Sequence, residues 1–135
     1  MSTKAAARSF LLDTHAALFA LERPHKLSSA ARDAVLAGRN VLSAVVYWEV
    51  VLKSMKGTLD VGDPRVWWQD AMEQLAATAL PLHPQHVSGL LALPPIHKDP
   101  FDRTLIAQAI AEGMVLVSTD AKVTQYASAR LKVIW

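Results

Sequence analysis

The sequence contains no cysteine and only five glycines among its 135 residues. Without cysteine the chain cannot form a disulfide scaffold, a thiolate zinc site, an iron–sulfur cluster or a cysteine nucleophile. The few glycines form no phosphate-binding cluster of the Walker or dinucleotide type. The longest apolar run, over residues 41–48, is interrupted by Ser43 and is far shorter than the roughly 20 residues that a membrane span needs. The N-terminus lacks the apolar stretch of a secretory signal, so we expect a cytoplasmic protein without membrane association.

Charge of either sign is also scarce. The chain has 14 Lys and Arg against 12 Asp and Glu, a formal net charge of +2, and 52% hydrophobic residues. This composition excludes disorder as the dominant state, because the chain can bury a substantial core. The net charge is too small to argue for a nucleic-acid partner by itself. The length predicts a single domain over residues 1–135, with residues 1–8 as a flexible N-terminus.

Short apolar segments alternate with helical segments along the whole chain. The predicted strands cover residues 8–12, 41–43, 79–82, 114–117 and 131–134. The predicted helices cover residues 14–22, 28–38, 44–56, 84–91, 100–112 and 121–129, with one more beginning at Pro64. The strands are apolar without period-two alternation, which is typical of a parallel sheet covered on both faces. The pattern therefore predicts an α/β fold.

Acidic residues follow two of the predicted strands. Asp13 comes directly after the first strand, and Asp120 closes the fourth. Because ligands of open α/β sheets bind at the carboxyl ends of the strands, both acids are expected at one edge of the sheet. Asp102 lies in the first turn of the helix before the fourth strand, and Glu49 lies on the helix after the second.

Each acid also has a purely structural explanation. Asp13 and Asp120 can cap the helices that follow them, and Asp99, which precedes Pro100, is a favourable N-cap. Asp102 falls at the third helical position, where the helix dipole favours a carboxylate and a capping box can be completed. Glu49 can pair with Lys53 one helical turn further on at the surface. However, three of its helical neighbours are apolar, and a half-buried carboxylate needs a cation or hydrogen-bond donors.

Carboxylates that converge on one edge repel each other unless a cation neutralises them. The chain has no cysteine and no spaced histidine pair with further partners, so the expected metal ligands are carboxylate oxygens alone. Oxygen ligands suit Mg²⁺ or Mn²⁺. The usual chemistry of such a site is phosphoryl transfer or hydrolysis. His83 and His86 have a metal-like spacing but no further partners, and His97 is expected to be a loop residue rather than a ligand.

Four segments of the chain, in order, are FLLDTHAAL (10–18), SAVVYWEVVLK (43–53), HKDPFDR (97–103) and LVSTD (116–120). With these segments the chain resembles the PIN-domain ribonucleases, and within them the VapC toxins of bacterial toxin–antitoxin systems. The resemblance covers nearly the whole chain from about residue 9. The chain departs from the family pattern in two segments: Val46 and Tyr47 stand where a hydroxyl residue is usual before the Trp-Glu pair, and Ser118 stands where threonine is common.

The resemblance implies a three-layer fold around a parallel five-stranded sheet, an Mg²⁺ or Mn²⁺ cofactor, and endonucleolytic cleavage of structured RNA such as transfer RNA or ribosomal RNA. It also implies a homodimer and inhibition by a cognate VapB-type antitoxin. Carried over residue by residue, the catalytic acids are Asp13, Glu49, Asp102 and Asp120, of which all but Glu49 bind the metal. Supporting or substrate-contacting roles fall to Asp99, Ser118 and Arg103.

Two other functions stay open from the sequence. One is a non-catalytic RNA-binding relative, which would be expected to lack one or more of the acids. The other is a receiver-type phosphorylation switch, which usually has an acid pair after the first strand, whereas Asp13 stands alone.

The apolar pattern of two helices also predicts where a partner could bind. On the helix over 44–56, a buried stripe is expected at Val45, Trp48, Leu52 and Met55. That stripe leaves an apolar face with Val46, Val50 and Val51 for an antitoxin helix. On the helix beginning at Pro64, Trp68 is expected in the core and Trp67 is expected as a partner-binding anchor.

Overall fold

The protein is described here by a computed structural model that covers residues 7–135. Its sheet has five parallel strands in the order β3-β2-β1-β4-β5. The strands are β1 (Phe10–Leu12), β2 (Asn40–Ser43), β3 (Thr78–Leu80), β4 (Val115–Val117) and β5 (Val133–Ile134). The α-helices are α1 (Thr14–Glu22), α2 (Ser29–Leu36), α3 (Ala44–Met55), α4 (Pro64–Gln74), α5 (Pro84–Gly89), α6 (Pro100–Glu112) and α7 (Ala121–Thr124). Short 3₁₀ helices cover Pro24–Lys26 and Leu90–Ala92.

The predicted α/β fold with a parallel five-stranded sheet is confirmed. The strand order differs from the 2-1-3-4-5 order of receiver domains, so the structure does not support a receiver-type switch. The last helix is shorter than predicted, since α7 ends at Thr124 instead of 129. Residues 1–6 of the N-terminal segment predicted to be flexible lie outside the described residues, whereas the Arg8 side chain donates a hydrogen bond to the carbonyl of Gly113.

The central strands are buried on both faces, which explains why their sequences are uniformly apolar. Leu11, Leu12, Leu42 and Val117 are completely inaccessible to solvent. Two hydrogen bonds hold the start of β2. The buried Asn40 side chain donates to the carbonyl of Val35 in the last turn of α2 and to the carbonyl of Leu75 at the end of α4. The sheet is thus a rigid platform for the residues that follow its strands. Among the described residues, none of the helices is long and apolar enough to cross a membrane.

The buried face of α3 differs from the prediction. Val46 and Val50 are fully buried, whereas Trp48 and Met55 are 53% and 78% exposed. The prediction that Trp48 and Met55 belong to the core is therefore wrong, and Val46 and Val50 are not available to a partner helix. The physical reason is that α3 contacts α1, α4 and α6, so that its core face also includes the charged residue Glu49.

Both tryptophans of α4 pack against the core, and Trp67 is the more deeply buried of the two. Trp67 is buried in the core, and Trp68 is partly exposed. The Trp68 ring stacks on Tyr47 of α3 at a centroid distance of 4.9 Å. The prediction of Trp67 as a partner anchor is therefore wrong.

The two spaced histidines take part in a structural network. His86 is fully buried, and its Nδ1 accepts a hydrogen bond from the backbone N–H of His83. Its Nε2 lies 2.8 Å from Glu112 Oε1. These contacts join α5 to the end of α6, on the helical layer rather than at the strand ends.

Candidate functional site

The first two acids of the site occupy helix N-termini at the edge of the sheet. Asp13 accepts a hydrogen bond of 2.8 Å from the N–H of Ala16 and caps α1. Asp120 accepts a hydrogen bond of 2.8 Å from the N–H of Lys122 and caps α7. The capping and the functional explanations are thus compatible, because each cap fixes a carboxylate at the carboxyl end of a parallel strand.

The other two aspartates lie at the start of α6. Asp99 Oδ1 accepts hydrogen bonds from the N–H groups of Phe101 and Asp102, at 2.8 and 3.3 Å, and caps the helix as the sequence predicts. Asp102 follows in the first turn, where its carboxylate faces the loop before the helix. The cap therefore orients the turn that carries Asp102.

His97 joins the acids across the site. Its Nε2 lies 2.9 Å from Asp102 Oδ2 and 3.1 Å from Asp120 Oδ2. Its Nδ1 accepts a hydrogen bond of 3.2 Å from the N–H of Asp99, so the neutral ring carries its proton on Nε2, between the two carboxylates. His97 is a loop residue, as expected, but the sequence did not indicate that its ring belongs to the cluster.

The loop that carries His97 is held by Tyr126 and Arg103. The Tyr126 hydroxyl accepts hydrogen bonds from the N–H groups of Ile96 and His97 and donates one to the Pro94 carbonyl. The Arg103 guanidinium donates to the same Pro94 carbonyl at 3.0 Å and to Tyr126 Oη at 3.1 Å. In this structure Arg103 therefore supports the histidine loop, and its guanidinium is already engaged there.

Glu49 is buried and paired on both carboxylate oxygens. Oε1 accepts a hydrogen bond from the Thr14 hydroxyl, and Oε2 lies 2.6 Å from the Lys53 ammonium. The expected Glu49–Lys53 pair is present, but it is not a surface pair, because only 5% of the Glu49 side chain is exposed. Thr14 is thus a residue of the site that the sequence pattern does not indicate, and Lys53, expected only in a surface pair, lines the cleft.

All five acids face one cleft of about 130 Å³. Its lining consists of Asp13, Thr14, His15, Glu49, Lys53, His97, Asp99, Asp102 and Asp120. Asp13 and Glu49 are buried, whereas 37% of the Asp120 side chain is exposed. Ser118 is buried beside the cleft, where its hydroxyl accepts a hydrogen bond from the N–H of Asp120.

The electrostatics of the acids differ from one to the next. Burial, together with the charges of Asp99 and Asp13, raises the pKa of Asp102 to about 7. Burial also raises the pKa of Asp13, although hydrogen bonds from Ser118 and Ala16 oppose this shift. For Asp120 the burial effect is outweighed by hydrogen bonds from Lys122 N–H and His97, so its pKa lies below the usual value.

The donor set fits a divalent cation. One nitrogen of His97 and one oxygen each of Asp102 and Asp120 lie within 4.8 Å of one another. The pKa values of Asp13 and Asp102 are raised because the protein does not fully offset the cost of burying their negative charges. A bound cation would favour the charged forms of both carboxylates. Carboxylate oxygens suit Mg²⁺ and Mn²⁺, and imidazole nitrogen is a further ligand that transition metals accept. The ligand set therefore includes a nitrogen candidate in addition to the oxygens that the sequence predicts.

Comparison with known proteins identifies the family. The sequence model of the PIN domain matches residues 10–129. The chain belongs to the PIN domain family. A curated relative, Ribonuclease VapC22 of Mycobacterium tuberculosis, is 27% identical over 127 residues, which cover 93% of this chain and 97% of the relative.

Solved structures with the same fold include VapBC complexes. VapBC2 of Rickettsia felis, bound to a promoter DNA fragment, matches with a TM-score of 0.64 and 17% identity over 93% of this chain and 96% of that chain. DNA-bound VapBC of Salmonella typhimurium matches with a TM-score of 0.67 and 15% identity over 95% and 98% of the two chains. At these identities the likeness establishes the PIN-like fold expected from the sequence.

Proposed function

We propose that this PIN domain is a metal-dependent endoribonuclease toxin that cleaves structured RNA and is inhibited by a cognate VapB-type antitoxin. The observation that carries the proposal is the convergence of Asp13, Asp102 and Asp120 at one cleft of the sheet edge. The ribonuclease name of the Mycobacterium relative supports RNA as the substrate. The VapBC complexes among the solved structures support an antitoxin as the partner.

The chain's own residues prepare the cleft for this chemistry. Asp13, Asp102 and Asp120 would hold Mg²⁺ or Mn²⁺, which when bound activates water and stabilises charge on the phosphate. The start of α1 orients the Asp13 carboxylate through the N–H of Ala16. The His97 imidazole contacts Oδ2 of both Asp102 and Asp120, and it thereby holds these two oxygens close together. Asp99 fixes the first turn of α6 through its cap.

The first prediction concerns metal dependence. The purified chain, incubated with bulk transfer RNA or ribosomal RNA fragments, is expected to cleave in Mg²⁺ or Mn²⁺ and to lose all cleavage in excess EDTA, because no cation is then present to activate water and stabilise charge on the phosphate. Product ladders on denaturing gels measure the reaction, and an Asp102→Asn preparation detects contaminating nuclease. Undiminished cleavage in EDTA would contradict metal dependence. RNA binding without cleavage in either metal would favour a non-catalytic RNA-binding module.

The second prediction separates Asp99 from the metal ligands. Asp99→Asn is expected to retain cleavage within about threefold, because asparagine caps a helix about as well as aspartate. Loss of the Asp99 charge also lowers the pKa of Asp102, so the pH profile of cleavage should shift towards lower pH. Asp99→Ala, which lacks the cap, is expected to lose about 1 kcal/mol of stability. Complete inactivity of folded Asp99→Asn would instead assign Asp99 to the ion or the RNA.

We also propose that the chain is a homodimer that works in the cytoplasm. Light scattering after size-exclusion chromatography measures the mass of the chain alone and of the chain co-expressed with a candidate VapB-type antitoxin. A monomer under both conditions would contradict the dimer. Co-purification of a small protein that suppresses cleavage supports the antitoxin.

A further inference from the structure

Lys53 is the one lysine or arginine that lines the acidic cleft within residues 7–135. Its ammonium lies 2.6 Å from Glu49 Oε2, and the other oxygen of Glu49 accepts a hydrogen bond from Thr14. The Glu49 carboxylate is thus fixed by the protein at both oxygens. It in turn fixes the position of the Lys53 ammonium, because the two residues are one helical turn apart on α3.

The burial of the two partners is unequal. Only 5% of the Glu49 side chain is exposed, but 39% of the Lys53 side chain is exposed. A salt bridge whose purpose is only to neutralise a buried carboxylate does not need a cation that reaches the surface of a cleft. The Glu49, Asp99 and Asp102 carboxylates also raise the pKa of Lys53, so the ammonium stays charged at neutral pH.

An RNA that enters this cleft meets a strong electrostatic barrier. Five carboxylates line the cleft, and the phosphate backbone is repelled by each of them that is ionised. A metal ion compensates the acids at the scissile phosphate, but the neighbouring phosphates need cations of the protein. Lys53 is the charged group in position for such a contact, since lysine binds phosphate as a point charge on a flexible stem.

We propose that Lys53 binds a backbone phosphate of the RNA beside the scissile bond, and that Glu49 is a positioning residue that holds the Lys53 ammonium at the cleft. The inference rests on the proposed ribonuclease function. It adds the support of a phosphate-binding cation to the catalytic role expected for Glu49 from the sequence.

The test measures RNA binding without cleavage. Fluorescein-labelled bulk transfer RNA is titrated in EDTA with the wild-type chain, Lys53→Met and the control Lys56→Met, over a series of salt concentrations. Lys56 is an exposed lysine at the end of the same helix and does not line the cleft. Lys53→Met is expected to weaken binding about tenfold at low salt and to reduce the salt slope by about 1, whereas Lys56→Met should change binding less than about twofold.

A second pair of variants keeps the test valid if the lone Glu49 charge prevents folding of Lys53→Met. Glu49→Gln removes the buried charge, so Glu49→Gln/Lys53→Met leaves no unpaired buried carboxylate. The double variant is expected to bind RNA more weakly than Glu49→Gln alone, with a salt slope smaller by about 1. Lys53→Arg keeps the positive charge, so this variant should bind RNA with most of the wild-type affinity.

Equal affinities and slopes for Glu49→Gln and the double variant would overturn the inference and leave Lys53 as a structural partner of Glu49. The proposed function fails separately, if the wild-type chain cuts no RNA in Mg²⁺ or Mn²⁺. Cleavage by the wild type together with unchanged binding of the Lys53 variants would therefore reject the role of Lys53 alone.

Discussion

Asp102→Asn is expected to abolish RNA cleavage and at the same time to raise the thermal midpoint of the protein by a few degrees above pH 7. Loss of a partner that only orients a metal ligand costs about 10–100-fold in affinity or activity, so loss of a ligand itself should cost at least about 100-fold. The gain in stability has a separate cause. Burial and the charges of Asp99 and Asp13 disfavour the Asp102 carboxylate, and asparagine removes that charge.

The pH dependence of this gain follows from the sign of the pKa shift. The pKa of Asp102 is about 7 in the folded protein, above the usual value of 3.8, so the folded state binds the proton more tightly. The contribution of Asp102 to folding stability therefore falls as the pH rises from about 3.8 to about 7. The difference between Asp102→Asn and the wild type should be absent near pH 3 and fully developed above pH 7. Thermal unfolding in metal-free buffer at several pH values measures it.

Asp120→Asn is the matched control for this experiment. It is expected to abolish cleavage as well, but not to stabilise the protein, because hydrogen bonds from Lys122 N–H and His97 favour the charged carboxylate. A sharp fall of the midpoint in Asp102→Asn would contradict the argument and make Asp102 a structural residue. Cleavage by Asp102→Asn within about tenfold of the wild type would remove it from the metal ligands.

The sequence predicted the acids of the site because their positions depend on local structure. An acid after a buried strand lies at the carboxyl edge of a parallel sheet, and this rule located Asp13 and Asp120 together. The Asp99-Pro100 pair predicted the start of a helix, and Asp102 followed from its place in the first turn. These inferences need no knowledge of distant contacts, and the structure brings the four residues to one cleft.

The contacts that complete the site could not be predicted in this way. His97 reaches Asp120 across 23 residues, from a loop without periodicity that Tyr126 and Arg103 hold in place. Lys53 was visible at the right spacing from Glu49, but the burial of Glu49 depends on the packing of α3 between other helices. Both features arise from tertiary structure, which a helical or strand pattern does not encode.

The α3 helix illustrates a limit of the hydrophobic pattern. A stripe of large apolar residues predicted one face as the core, whereas the buried face contains three valines and a charged residue, Val45, Val46, Val50 and Glu49. Hydrophobicity alone could not select a face that includes a carboxylate, because the carboxylate counts against burial. The exposed Trp48 and Met55 then lie on the opposite edge, where the Trp48 ring packs edge-on against Phe101.

Val50→Asp is therefore expected to prevent folding rather than to release a partner. Val50 is completely buried, and its replacement leaves an unpaired carboxylate in the core. Changes of this kind exceed about 4 kcal/mol, which is a large fraction of the stability of a small domain. Circular dichroism and urea unfolding of the purified protein should show loss of the cooperative transition, and most of the protein should be insoluble on expression.

Met55→Asp introduces the same charge on the same helix at a residue that is 78% exposed. It is expected to change stability by less than about 0.5 kcal/mol, so any loss of the co-expressed antitoxin in this variant reports on binding instead of folding. A cooperative transition of Val50→Asp near the wild-type midpoint would contradict the buried position of Val50. In that case the face of α3 with Val46 and Val50 would again be open to a partner helix, and the edge with Trp48 and Met55 would belong to the core.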